Sequence, residues 1–312
     1  MHRNAYISLV IGVSAVSLAA IFIRLAQAQS APSILIAMGR LLIAASILTP
    51  VILRRADYLA QLRKMSWFEL RLALISGFFL AIHFFSWVTS LEHTTVLISV
   101  VLVTTTSIWV AVLEVLFLRA YLSKQILLGL IIALIGGLVI GLSGISADLS
   151  MNFRTPFHQI WVQQNQNQLL GAGLSILGAV AVAIYFVIGR KLRHTLSLTP
   201  YIWLVYSIAA FIMLCFVFLS DVSMIGYSLE GYLWILALGL IPQLIGHSSL
   251  NYALAYLPAT YVSLSTQTEP ILSAIVAYFV FREVPSVFQV IGGVIIMCGV
   301  VIATYRKQKK TL

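Results

Sequence analysis

Ten apolar runs, each close to the length of a bilayer crossing, constrain this chain more than any other feature. They fall at 5–25, 31–53, 71–91, 95–118, 125–143, 169–189, 200–219, 231–254, 259–281 and 287–305. A helix needs roughly 20 mostly apolar residues to span a bilayer, and a helix satisfies its own backbone hydrogen bonds in hydrocarbon. The pattern therefore predicts an all-α membrane protein with ten transmembrane helices. Composition agrees: 9% of the 312 residues are charged, whereas a soluble domain carries about 25%. The net charge of +10 is no nucleic-acid signature, because the basic residues sit in short clusters between the apolar runs. Cys215 and Cys298 fall inside apolar runs, so buried thiols and no disulfide are expected.

The first run could be mistaken for a secretion signal, since Arg3 precedes it and Ala26-Gln27-Ala28 follows it. It is long for a signal core and Arg24 interrupts the approach to the cleavage-like site, so it reads as a retained first helix. Lysine and arginine set the orientation. With the N-terminus inside, fifteen of the 19 basic residues fall in inner segments, among them Arg54, Arg55, Arg63, Lys64 and the tail from Arg306 to Lys310. Arg24, Arg154 and Arg282 fall outside, and Arg40 within the second helix. Both termini are thus expected in the cytoplasm. The longest outer segment, 144–168, carries Asp148, Arg154, Pro156 and a Gln/Asn run. It reads as a solvated connector with a short interfacial piece at 157–162.

The chain also repeats. At a spacing of 163 positions, Leu91 falls under Leu254, Arg119 under Arg282, Ser123 under Ser286, Gly129 under Gly292 and Gly136 under Gly299. The expected units are 1–143 and 169–312, joined by the connector at 144–168. Five helices per unit is an odd number, so the second copy enters the membrane from the opposite side. Inverted repeats of this kind place a substrate site near mid-membrane between the halves and permit alternating access.

The residues also carry a family resemblance. Pro32, Ala37 and Arg40 lie in the second run, and Trp87-Val-Thr-Ser-Leu91 at the corner between the third and fourth. Asn251-Tyr-Ala-Leu-Ala-Tyr-Leu-Pro258-Ala is the second-half counterpart, followed by Glu269-Pro270, Arg282-Glu283, Gly292 and Gly299. The chain resembles the drug/metabolite transporter superfamily, EamA type, over essentially its whole length. The resemblance implies a cavity lined by helices 1, 3, 4, 6, 8 and 9, with helices 5 and 10 packed away from it. The family pattern often has a proline in helix 4 with an acidic residue after it. Here Ser107 stands where the repeat puts Pro270, and Ala120 where it puts Glu283, so the first-half helix 4 is expected to be straighter.

Polar residues inside the runs are the site candidates, because a charge at mid-membrane costs roughly 2.5–3.5 kcal/mol on insertion scales. Glu269 lies near the middle of the ninth run beside Ser265, Thr266, Thr268 and Pro270. It reads as a substrate- or proton-binding carboxyl, or as a group bonded to a neighbouring helix or to Arg40. His247 and Asn251 are four apart and share a helix face, as do His83 and Trp87. Both pairs are candidates for lining a cavity, or for local bonds between helices. Thr106, in the run Thr104-Thr-Thr-Ser107, is opposite Glu269 in the repeat register, although hydroxyls in membrane helices more often bond their own carbonyls. Tyr185 is a further lining candidate. Arg40 reads as an ion-pair partner or a substrate contact. Glu114 reads as an interfacial group pairing with Arg119 or Lys124. Glycines of the fifth and tenth runs belong to close helix packing. No two histidines have metal-ligand spacing, and no cofactor motif is present.

An enzyme is not expected. Gly141-Leu-Ser143-Gly144 matches a rhomboid-like serine-protease tetrad, but it ends a helix at the outer surface while His83 and His247 are mid-membrane. With the family resemblance, the expected function is a secondary transporter of the cytoplasmic (inner) membrane that exports amino acids or related small metabolites. The alternative within carriers is uptake, or an anion or nucleotide-sugar type of exchange, for which Arg40 is the deep cation.

Overall fold

The computed structural model describes residues 2–94, 96–119, 121–151, 157–281 and 287–304. Among them there is no strand. The first run holds α1 (His2–Val16) and α2 (Ala19–Ala28), and the second holds α3 (Ser33–Arg54). A short surface helix, α4 (Ala56–Arg63), follows and buries none of its side chains. The third run is α5 (Trp67–His93), which Ser66 and Glu69 open as a reciprocal capping box. The fourth run holds α6 (Val96–Thr104) and α7 (Thr106–Leu118), the fifth α8 (Lys124–Met151), the sixth α9 (Phe157–Leu192) and the seventh α10 (Leu198–Leu219). The eighth run is α11 (Leu229–Leu238), a π-helical turn Gly239–His247, and α12 (Ser248–Leu254). The ninth is α13 (Ala259–Ser265), a 3-10 turn Thr266–Thr268, and α14 (Glu269–Phe281); the tenth is α15 (Val287–Thr304).

Among the described residues, seven helical stretches are long and apolar enough to cross a membrane: Arg3–Ala28, Ser33–Arg54, Trp67–His93, Ser99–Leu118, Leu169–Leu192, Leu198–Leu219 and Leu229–Leu254. Lys124–Val139 and Val290–Ala303 are shorter apolar helices. The polarity of the packing is that of a protein solvated by lipid. Phe117, Phe211 and Phe218 are about 70% exposed, while Arg40, Glu114, Gln243 and Asn251 are completely buried. A water-solvated fold inverts that distribution.

Two expectations change, for the cysteines and for the fourth run. The connector 144–168 is largely helical backbone, because α8 runs on to Met151 and α9 starts at Phe157; the stretch 157–168 holds no Gly or Pro to stop a helix. Its side chains, together with Arg154, Pro156, Arg282, Glu283 and the basic tail, lie outside the described residues, as does the side chain of Ser143. The cysteines are free but not buried: Cys215 is half-exposed and Cys298 exposed, on the outward faces of α10 and α15. The fourth run is not straighter for lacking proline. It breaks at Thr105, between α6 and α7. Thr104, Thr105 and Thr106 each donate a hydroxyl to the carbonyl three residues back, at 2.9, 2.6 and 2.6 Å. The backbone there follows the same shortened spacing, Thr105 N to Leu102 O and Ile108 N to Thr105 O. Hydroxyls that bond back in this way bend helices. The break in the ninth run ends at Thr268, which is Thr105 in the repeat register.

Two pairings organise the halves. α5 packs along α9, and α1 and α2 pack along the eighth run, which is the same pairing with the halves exchanged; α3 packs on α10. α8 and α15 pack on each other and run antiparallel, since Gly129 meets Gly299 and Gly136 meets Gly292. A Cβ at Gly136 would sit 2.6 Å from the Gly292 carbonyl, and one at Gly299 would sit 2.6 Å from the Gly129 carbonyl. No side chain fits there, so glycine is what lets these backbones touch.

Candidate functional site

A cavity lies where α1, α2, α5, α6, α7, α9, the eighth run and the break of the ninth meet. Eight of its lining residues form four pairs separated by 163 positions: Ala19 with Val182, Trp87 with Leu250, Val103 with Thr266, and Thr106 with Glu269. Equivalent positions of both halves therefore face one space, with unlike chemistry. His83, His247 and Phe186 complete its polar and aromatic wall. The volume is about 40 Å³, room for one or two waters.

Five candidates from the sequence come together here: His83, Trp87, Thr106, His247 and Glu269. His83 Nδ1 donates to the Gly178 carbonyl at 2.9 Å, and its ring stacks on Trp87 at 5.8 Å. His247 stands edge-on to His83 at 6.4 Å, and its Nδ1 has no hydrogen-bond partner. Thr106 spends its hydroxyl on the Val103 carbonyl, with a longer contact to the Ala179 carbonyl at 3.3 Å. Glu269 caps the 3-10 turn at the start of α14, and its carboxylate has no hydrogen-bond partner among the described residues.

Tyr185 and Asn251 are not on the cavity wall. Both are fully buried, and Asn251 Nδ2 donates to the Tyr185 hydroxyl and to the His247 carbonyl. The i, i+4 spacing placed Asn251 on the face of His247, but an acceptor on α9 turns its amide away from the cavity. Arg40 is also off the wall. Its Nε donates to Gln243 Oε1 at 3.1 Å, and its guanidinium lies 4.0 Å over the Phe84 ring, a cation–π contact. Nη1 and Nη2 have no hydrogen-bond partner, and among the described residues Arg40 makes no ion pair with Glu269. Gln243 was missed in the sequence; an amide beside Pro242 inside an apolar run was the available signal.

Glu114 is the clearest correction. It does not pair at an interface with Arg119 or Lys124. It is completely buried and accepts from Ala259 N at 2.8 Å, Thr260 N at 2.9 Å and the Thr260 hydroxyl at 2.6 Å. Arg190 Nη1 lies 3.2 Å from its Oε1. Orphan amides at a helix start attract a carboxylate, and those of α13 outcompete the exposed basic residues. No group of three His, Cys, Asp or Glu is placed to hold a metal ion among the described residues.

Residues 3–142 and 169–305 each match the EamA-like transporter family. The chain belongs to the EamA-like transporter family. With its apolar helices, it is a multi-pass membrane protein of that family. It is 27% identical over 209 residues, 67% of its length, to the "Uncharacterized transporter YdfC" of Bacillus subtilis (strain 168). A second relative is an "Uncharacterized transporter" of Archaeoglobus fulgidus, 26% identical over 138 residues, or 43% of this chain. The matched stretches span 62% and 47% of those relatives. A crystal structure, titled only as that of a protein, superposes with a TM-score of 0.72 over 97% of this chain and 98% of its own at 17% identity, a likeness of fold alone.

Proposed function

We propose that this EamA-like protein is a secondary transporter of the cytoplasmic membrane, exporting amino acids or related small metabolites by alternating access. Ten helices would cross the membrane as two five-helix units, 1–143 and 169–312, inverted to each other, with both termini in the cytoplasm and 144–168 outside. The reciprocal glycine contacts of α8 and α15 support the inversion, because a two-fold axis in the membrane plane turns one contact into the other. The separate family matches to residues 3–142 and 169–305 support the two units. The observation that carries the reading is the cavity lined by equivalent positions of both halves, with Glu269 on a wall shared with His83, Trp87 and His247. A carboxylate beside aromatic faces suits an ammonium group. The passenger would sit against Trp87, Thr106 and Glu269, with Tyr185 and Asn251 holding α9 to the eighth run behind them. Because the present cavity holds only water-sized guests, the passenger must widen it.

The test is efflux of a set of amino acids from proteoliposomes, with and without a pH gradient. Saturable, exchange-stimulated flux that Glu269→Gln lowers at least tenfold is expected. Full flux and unchanged pH dependence in Glu269→Gln would remove the carboxylate from the mechanism. One observation favours a second reading, exchange of anions: the buried Arg40 guanidinium has two nitrogens free. Competition by a carboxylate lacking an amine, but not by the matching amine, would select it.

A further inference from the structure

Three of the elements that wall the cavity share a second meeting point. Thr106 on α7 is eight residues from Glu114, about 12 Å along the helix. Phe186 on α9 is one turn from Arg190, and Glu269 is nine residues from Thr260 at the start of α13. All three elements thus leave the cavity toward the same end and converge on one carboxylate. That carboxylate belongs to the first half, and every group it holds belongs to the second: the Ala259 and Thr260 amides, the Thr260 hydroxyl and the Arg190 guanidinium.

The opposite end is closed differently. Ser33 N donates to Glu92 Oε1 and Arg24 Nη2 to the Thr94 carbonyl, contacts made within the first half. Gln29 reaches Glu230 across the halves, but at the exposed surface. In the repeat register Ala277 stands where the first half has Glu114, so the second half carries no copy of this carboxylate. Glu114 is a buried carboxylate of one half held entirely by groups of the other.

We infer that Glu114 is the gating residue of this end: its carboxylate latches α7 to α13 and α9, and the cavity opens toward that side only when the latch lets go. Release strips four contacts from a buried carboxylate and returns two orphan amides to α13, so opening this side is costly. The inference rests on the carrier reading of the same cavity.

The test uses Val103→Cys as a reporter inside the cavity, in a background with Cys215 and Cys298 replaced by serine. A membrane-impermeant maleimide is applied to either face of reconstituted vesicles. The exposed His194→Cys, beside the latch, identifies which face is which. With Glu114 intact, labelling from the latch face should be slow. Glu114→Gln should raise it at least tenfold from that face and leave the other face unchanged. Arg190→Gln, which spares the amide bonds, should raise it less. If Glu114→Gln does not fold, Thr260→Val removes one bond of the latch and should give a smaller, still one-faced rise. No rise, or an equal rise from both faces, overturns the latch, the second outcome marking general loosening. A one-faced rise in a protein that moves no solute keeps the latch and removes the carrier; flux without the one-faced rise does the reverse.

Discussion

The seam between α8 and α15 and the cavity between the halves obey the same repeat register, yet the repeat was kept in opposite ways. At the seam, equivalent positions hold the same residue, Gly129 with Gly292 and Gly136 with Gly299. In the cavity, equivalent positions hold different ones, Thr106 opposite Glu269 and Trp87 opposite Leu250. A seam of touching backbones admits one solution to a steric problem on both sides of the axis. A wet space between helices sets no such limit, and there the two copies are free to carry different chemistry.

The largest expected effect breaks the seam. Gly129→Leu drives a side chain into the Gly299 and Ala303 backbone and should cost about 3 kcal/mol or more, read as loss of folded protein on detergent gel filtration. Gly137→Ala, one residue from the seam glycine Gly136 and with 3.7 Å to its nearest neighbour, should change little. The next effect tests whether the cavity is symmetric in shape. Glu269→Thr should lower flux at least tenfold, and adding Thr106→Glu, which moves the carboxylate across the axis, should restore part of it. Failure of the swap to restore anything would show that the two sides of the axis are not equivalent for the passenger.

Smaller effects separate holding from working. His83→Phe loses the bond to the Gly178 carbonyl and should cost about 1 kcal/mol of stability, measured as a drop in thermal midpoint. His247→Phe loses no bond through Nδ1 and copies its repeat partner, Phe84. Its midpoint should stay within about 0.5 kcal/mol of wild type while flux falls. Smallest of all, Gly173→Ala meets nothing within 4 Å and should leave both stability and flux unchanged within about 0.5 kcal/mol.

Much of the architecture could be read from the chain. All ten apolar runs hold helical segments, and the 163-residue register set Thr106 opposite Glu269; it aligned Gly129 with Gly292 and Gly136 with Gly299, whereas the glycines that touch are Gly129 with Gly299 and Gly136 with Gly292. What escaped was governed by partners far away in sequence. Glu114 reads naturally with the basic residues five and ten positions on; its true partners are backbone amides 145 positions away, and no side-chain pattern announces a bare amide. Asn251 is governed in the same way, since its acceptor is Tyr185 on another helix. The break at Thr105 was visible in the three threonines, but proline is the more familiar cause of a bend and its absence was given too much weight.

The two breaks that flank the cavity differ in what can undo them. At Glu269-Pro270 the ring takes the place of an amide proton, and nothing that enters the cavity can supply it. Hydroxyls bond back to the carbonyl three residues earlier at both breaks, from Thr104, Thr105 and Thr106 in one and from Thr266 and Thr268 in the other, but at Thr105 no proline stands beside them. The ninth run, with Pro270 beside its break, should therefore stay jointed, while the fourth should be able to straighten where its hydroxyls find other partners. Amide hydrogen exchange should show it: protection at Thr105–Ile108 should vary with occupancy of the cavity, while protection around Pro270 stays constant.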